Sequence, residues 1–413
     1  MNVRIEGVEN KLIKDAVFIS GSKSESNRLL ILQKLFPAIT IENLSDSDDT
    51  HHLQHALTTD EEQINIGHAG TAMRFLTAYF AAQNGRTVVL SGSERMHNRP
   101  IKILVDALKD LGADISYEEK DGYPPLRITG KELTQDKVQI QGNVSSQYIS
   151  ALLLIASSLH NGLQIELIGE ITSIPYIQMT LSLLNQVGVK TSFEGQNIQV
   201  KPLKEIQPQT IVVESDWSSA SYFYSIAALS EVGSEITLSA YKKESLQGDS
   251  VLADIYQHFG VETTFGEHII TLKKTNVISS AVEKSRLEVN LIKAPDIAQT
   301  IAVTCFGLGI ACDLTGLHTL KIKETDRLEA LKAELTKLGA NISVTNETLH
   351  LQASSKINSD VAIETYNDHR MAMAFAPLGM LTSLEIIDAK VVTKSYRNFW
   401  QDLEQIGFRL IEN

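Results

Sequence analysis

Leu104-Val105-Asp106-Ala107-Leu108-Lys109-Asp110-Leu111-Gly112-Ala113-Asp114-Ile115 reads as an amphipathic helix, an apolar-Gly-apolar turn and the start of an alternating strand. Ile101, Leu104, Val105 and Leu108 share one helical face. Gly112 stands where a helix commonly ends on a left-handed residue. The module returns at Leu183–Gly188, Leu252–Gly260, Leu331–Gly339 and Leu403–Gly407, so its glycines recur every 68 to 79 residues. One interval upstream of Gly112 lies Phe36-Pro37, behind the apolar stretch Arg28–Leu32. Six units of about 70 residues then account for the chain, a period longer than that of ordinary solenoids.

Leu328, Leu331, Leu335 and Leu338 repeat the apolar stripe, which reads as core. Gln164–Ile168 and Glu235–Leu238 alternate as half-buried strands. Helix-plus-strand units of this kind predict an α/β architecture, with three units in each of two domains. Lys201–Gln209 is polar and carries two prolines, and a new apolar helix follows Glu214-Ser215-Asp216-Trp217. A crossover between the two domains is expected near Glu214. By pattern alone the strand Asn2–Gly7 fits either half.

The 413 residues are enough for two cores, and their net charge of −13 argues against nucleic acid or an anionic membrane as partner. Cys305 and Cys312, the two cysteines, lie in an apolar stretch and read as buried thiols of a cytoplasmic protein. Met1-Asn2-Val3-Arg4-Ile5 leads into mixed sequence without a secretory pattern, and no apolar run of about 18 residues occurs. His51, His52 and His55 read as a solvated helix face, and neither a metal nor a cofactor is expected.

Against the acidic background, arginines stand near six expected helix starts: Arg28, Arg74, Arg99, Arg327, Arg370 and Arg397. A helix N-terminus is already electropositive, so a cation there is disfavoured unless an anion binds. The set points to a cleft for a small polyanion such as a phosphorylated metabolite. Gly21-Ser22-Lys23-Ser24-Glu25-Ser26-Asn27-Arg28 is a small-residue loop that can cradle phosphate, although it is not a Walker A loop. Gly67-His68-Ala69-Gly70-Thr71 turns from strand to helix, and Ser145-Ser146-Gln147 opens another helix; capping accounts for the latter equally well. Asp296, before the apolar run Ile297–Ile310, is a cap or a general base. Glu324 beside Lys323 and Arg327 fits a proton-transfer group among cations and bound anions. Asp326 and Glu329 fit a capping box around Arg327.

On these residues, together with Ala69–Arg74, Arg99-Pro100-Ile101, Tyr123-Pro124-Pro125-Leu126, Lys323–Arg327 and Tyr366-Asn367-Asp368-His369-Arg370-Met371-Ala372-Met373, the chain resembles the 5-enolpyruvylshikimate-3-phosphate synthase family along essentially its whole length. The resemblance implies a two-domain, inside-out α/β barrel fold with the active site in the interdomain cleft. It also implies an N-terminal strand paired with the second domain, so that the expected domains are 19–214 and 1–18 with 215–413. The implied reaction moves the enolpyruvyl group of phosphoenolpyruvate to the 5-hydroxyl of shikimate 3-phosphate, without a cofactor. Carried over by motif, shikimate 3-phosphate meets Lys23, Ser24, Arg28, Ser145, Ser146, Gln147, Ser173, Asp296, Thr319 and Lys323. Phosphoenolpyruvate meets Lys23, Gly70, Arg99, Gln147, Arg327, Arg370 and Lys394. Asp296 is the implied base and Glu324 the proton donor to carbon, with Lys23 assisting; the two carboxylates can exchange roles.

Three positions depart from the family pattern: His68 for a usual Asn, Phe75 for a frequent Pro, and Thr319 for a common Asn. Competition by glyphosate is expected at Gly70. The rival readings are the enolpyruvyl transferase of UDP-N-acetylglucosamine and an inactive phosphometabolite-binding protein. The first uses a cysteine in the first half of the chain, where this sequence has none. A monomer that closes around its substrates is the expected assembly.

Overall fold

The computed structural model describes residues 1–143, 145–171, 174–275 and 286–413. The chain divides into two compact units, Gly21–Val213 and Met1–Ser20 with Glu214–Asn413.

The repeat is a β-α-β-α-β-β element. In one copy, Gln63–Asn65 leads through helix Gly70–Ala81 to the parallel strand Thr87–Ser91. Helix Lys102–Asp110 then leads to the hairpin Asp114–Tyr117 and Leu126–Thr129. The spatial order is first, second, fourth, third. The sheets built on Leu163–Ile168, Glu235–Ser239 and Ala311–Thr315 have the same order. The strand Lys14–Val17 starts the Glu235–Ser239 sheet, and Val3–Val8 completes another, between Leu384–Ile386 and Phe408–Glu412. The remaining sheet is a parallel pair, Ile39–Glu42 with Gln209–Val212.

That two-stranded sheet corrects the expected six equal units. Gly112, Gly188, Gly260, Gly339 and Gly407 all have positive φ and follow the second helix of their copies. Phe36 instead ends helix Lys23–Leu35, which is the first helix of its copy. This copy has no hairpin in its sheet, so counting back by one interval reaches the wrong helix.

The first helices are the buried ones. They are α1 (Lys23–Leu35), α2 (Gly70–Ala81), α3 (Ser146–Ala156), α4 (Trp217–Leu229), α5 (Ala298–Leu308) and α6 (His369–Phe375). Nearly every residue of α2, α3, α4 and α6 is buried, which needs helices apolar on all sides. The second helices turn one apolar stripe inward, as Lys102–Asp110 does with Leu104, Val105, Ala107 and Leu108. Each unit therefore places three helices inside and its sheets outside.

Side-chain bonds set the inner helices parallel and in step. Gln147 near the start of α3 donates to Thr71 Oγ1 near the start of α2 (3.1 Å). Ser221 of α4 bonds Thr300 of α5 (3.0 Å), and Thr304 donates to Ser225 one turn on (2.7 Å). Parallel helices bring their electropositive N-termini to one end of each unit. Among the described residues no helix is long and apolar enough to cross a membrane.

Gly339 tests the turn chemistry. Its φ is +101°, and an added Cβ would come no closer than 3.4 Å to Asn358, so conformation alone sets the cost. Gly339→Ala is expected to destabilise the protein by about 1–2 kcal/mol, read from the urea midpoint.

Candidate active site

In the unit Gly21–Val213, Arg28 is the hub. Nε donates to Thr180 Oγ1 (2.8 Å), Nη2 to Ser150 Oγ (3.0 Å), and Nη1 to the Ser24 carbonyl (2.8 Å). Its guanidinium lies over Phe75 at 5.3 Å and faces Tyr176 at 6.0 Å. Among the described residues it has no ion pair, and burial lowers its pKa to about 10. A desolvated cation whose hydrogen-bond partners are neutral oxygens, with Glu25 offsetting burial only in part, is poised for an incoming anion. Phe75, the departure from the family pattern, is thus part of the Arg28 cradle.

Lys23, first in α1, pairs with Asp49 at 3.3 Å. Ser24 follows it, half-buried. Ser145 caps α3 by accepting from the Gln147 amide (3.4 Å), and Ser146 is buried beside it. Gly70 opens α2 against Arg99: an added Cβ would lie 2.3 Å from Arg99 Nη1. Arg99 itself is exposed. His68 Nδ1 bonds Ser93 Oγ (2.7 Å) and ties the Gly70 turn to the segment that carries Arg99. Ser173 lies outside the described residues.

In the other unit, Arg327 is buried among three carboxylates. Nε donates to Asp368 Oδ2 (2.6 Å), Nη1 to Asp296 Oδ1 (2.8 Å), and Nη2 to Glu324 Oε2 (2.7 Å). Burial opposes its charge, but Asp368, Glu324 and Asp296 raise its pKa above the ordinary value. Asp296 also meets Lys323 at 3.4 Å and Arg370 at 3.6 Å. Burial alone would raise the Asp296 carboxyl, yet Lys323, Arg370 and Arg327 hold it well below the usual range. Lys394 donates to the Asn367 carbonyl (2.7 Å). Thr319 has a buried hydroxyl without a hydrogen-bond partner among the described residues.

The six arginines do not all begin helices. Arg327 is the first residue of its helix, where Asp326 accepts from the Glu329 amide (3.2 Å), and Arg370 is the second residue of α6. Arg28 and Arg74 lie a turn inside α1 and α2 and reach back to the carbonyls of Ser24 and Gly70. Arg74 also donates to the Pro100 carbonyl (3.1 Å) and serves as scaffold. Arg99 and Arg397 precede their helices, and Pro100 lies ahead of the helix that begins at Lys102. Spacing along one strand of sequence cannot tell a second-turn arginine from an N-terminal one when the cap is a Ser or Ala without its own side-chain bond.

Sequence reasoning missed Asp49 and treated Asp368 as part of a motif without giving it a role. Asp368 caps α6 through the Arg370 amide (2.9 Å) and also holds Arg327. Its place before an arginine was the available signal; nothing in the sequence linked Asp49 to Lys23.

The chain shares its fold with two solved structures at low sequence identity. An EPSP synthase from Acinetobacter baumannii has a TM-score of 0.81 and 20% identity, each chain covered completely. The enolpyruvyl transferase NikO from Streptomyces tendae has a TM-score of 0.72 and 14% identity, with 100% of this chain and 98% of that one covered. The fold is therefore that of the enolpyruvyl transferases. The family model described as EPSP synthase (3-phosphoshikimate 1-carboxyvinyltransferase) matches residues 54–403. A 3-phosphoshikimate 1-carboxyvinyltransferase of Bacteroides fragilis is 47% identical over 404 residues, covering 96% of both chains. One of Haemophilus influenzae is 36% identical over 431 residues, covering 96% of this chain and 97% of its own. The chain belongs to the EPSP synthase family.

Removing Arg327 would leave Asp296, Glu324 and Asp368 facing one another. Arg327→Met is expected to lower stability by about 3–5 kcal/mol, measured by denaturant unfolding at neutral pH. At Gly70, the Arg99 guanidinium must move to admit a methyl group. Gly70→Ala should fold normally, with stability within about 0.5 kcal/mol of the parent by the same unfolding assay.

Proposed function

We propose that this chain transfers the enolpyruvyl (1-carboxyvinyl) group of phosphoenolpyruvate to the 5-hydroxyl of shikimate 3-phosphate, releasing phosphate, in chorismate and aromatic amino-acid biosynthesis. The observation that carries the reading is the Asp296–Lys323–Glu324–Arg327–Arg370 network, in a chain of this family. It joins a carboxylate pair to three cations. A reaction between two polyanions needs cations to offset their repulsion and carboxylates to move protons.

In this reading Lys23, Ser24, Arg28, Ser145, Ser146, Gln147, Ser173, Asp296, Thr319 and Lys323 hold shikimate 3-phosphate. Lys23, Gly70, Arg99, Gln147, Arg327, Arg370 and Lys394 hold phosphoenolpyruvate. Asp296 accepts the proton of the 5-hydroxyl as its oxygen attacks C2, while Glu324, assisted by Lys23, protonates the methylene carbon. The tetrahedral adduct then loses phosphate, protonated by Asp296 as the C–O bond breaks, and Glu324 takes a proton back from the new methyl group, which forms the vinyl ether and resets both carboxyl groups. Asp296 starts as a weak base because three cations hold its charge. Substrate anions that draw on Lys323 and Arg370 weaken that hold and raise its basicity.

Buried Cys305 and Cys312 offer no thiol to the alternative acceptor, UDP-N-acetylglucosamine. Phosphate release from phosphoenolpyruvate is expected with shikimate 3-phosphate and absent with the nucleotide sugar; the reverse pattern would sink the proposal. Asp296→Asn should reduce kcat by about 10²–10⁴-fold in the same assay.

A further inference from the structure

Arg370 is anchored on three sides. Nη1 donates to the Asp296 carbonyl (3.2 Å), Nη2 donates to Ser218 Oγ (3.1 Å), and Asp296 Oδ2 lies 3.6 Å from Nη2. Ser218, the second residue of α4, gives its own hydroxyl proton to Asp249 Oδ2. A hydroxyl has one proton, so this donation turns its lone pairs toward Arg370. Asp249 sits in the short 3₁₀ turn Gly248–Val251. Gln247, just before that turn, accepts from the Trp217 amide (2.9 Å) and donates to the Ser215 carbonyl (2.9 Å). The Asp249 turn is therefore bonded directly to the start of the helix that carries Ser218. The mechanism above uses neither residue.

We infer that Ser218 and Asp249 are a positioning pair for Arg370, which aims its guanidinium at phosphoenolpyruvate and makes affinity for that substrate depend on the charge of Asp249. The inference rests on Arg370 being a phosphoenolpyruvate ligand.

The charged groups around Asp249 fix the sign. Asp296 faces it from the turn Pro295–Ile297, Arg370 from α6, and Asp216 from the cap of α4. Burial and Asp296 push the Asp249 carboxyl up to about 6, against the pull of Arg370 and the Ser218 bond. An anion bound at Arg370 pushes it further in the same direction. Binding then takes up a proton at Asp249, and affinity is gained as pH falls through the region near 6. With Asp249 ionised, at higher pH, Arg370 shares its charge with one more carboxylate and holds the substrate less tightly.

The test is steady-state kinetics of the full chain, Asp249→Asn and Ser218→Ala between about pH 5.5 and 8, spanning the titration. Phosphoenolpyruvate has a titrating phosphate of its own, which is common to all three proteins and cancels in ratios. The ratio of parent to Asp249→Asn KM for phosphoenolpyruvate is expected to rise about threefold or more with pH, corresponding to a coupling of half a pK unit. The same ratio for shikimate 3-phosphate should stay level. Ser218→Ala should flatten the pH dependence as well, because it breaks the link from the other end. A ratio constant with pH, or equal changes for both substrates, overturns the inference and leaves the proposed function standing. No phosphate release by the parent with both substrates removes the function and this inference together.

Discussion

A buried arginine that holds three carboxylates is the constraint on which the charged cluster of the unit holding residues 214–413 depends. Arg327 draws Asp368 from the cap of α6, Asp296 from the turn before α5, and Glu324 from its own helix start. Isolated, any of these charges would be costly to desolvate. Together they are satisfied, and the satisfaction requires three chain segments in one relative position. The consequence is that Asp296 and Glu324, the carboxylates proposed to move protons, sit at fixed distances from a single guanidinium.

The Arg28 cluster, in the unit Gly21–Val213, is built on the opposite principle. Arg28 is as buried as Arg327, but its partners are hydroxyls, a carbonyl and aromatic rings. Its charge is positioned without an ion pair among the described residues, and burial lowers its pKa against a partial offset from Tyr176 and Glu25. A site for an anion needs such a cation, whereas a site that moves protons needs carboxylates whose charge is controlled. Under the proposed function, the contrast between Arg28 and Arg327 is one of binding against proton transfer.

The fold makes both clusters possible in the same way. Three helices pack inside each unit, most of them buried along nearly their whole length, in step and parallel, so that their polar N-terminal residues collect at one end. The sheets outside bury one face each, and glycines such as Gly339 let each second helix turn back into its hairpin. Turn strain of this kind is local and repeated, which is why the repeat shows in the sequence.

The periodic part of the structure was legible in the sequence for that reason: apolar stripes, left-handed glycines and alternating strands are local consequences of 3.6- and 2-residue geometry. The motifs around Lys23, Gly70, Ser145, Asp296 and Lys323–Arg327 could be found because the family resemblance runs along the chain, as the 47% identity over 404 residues bears out. Tertiary structure alone decided the rest. Whether Arg74 binds or braces, whether Phe75 lies under Arg28, and which carboxylates share Arg327 depend on groups far apart in sequence. The same holds for the short first copy, whose parallel strand Gln209–Val212 arrives some 170 residues after Ile39–Glu42. Local propensity carries no information about such partners, because burial and pairing across long loops arise only when the chain has closed on itself.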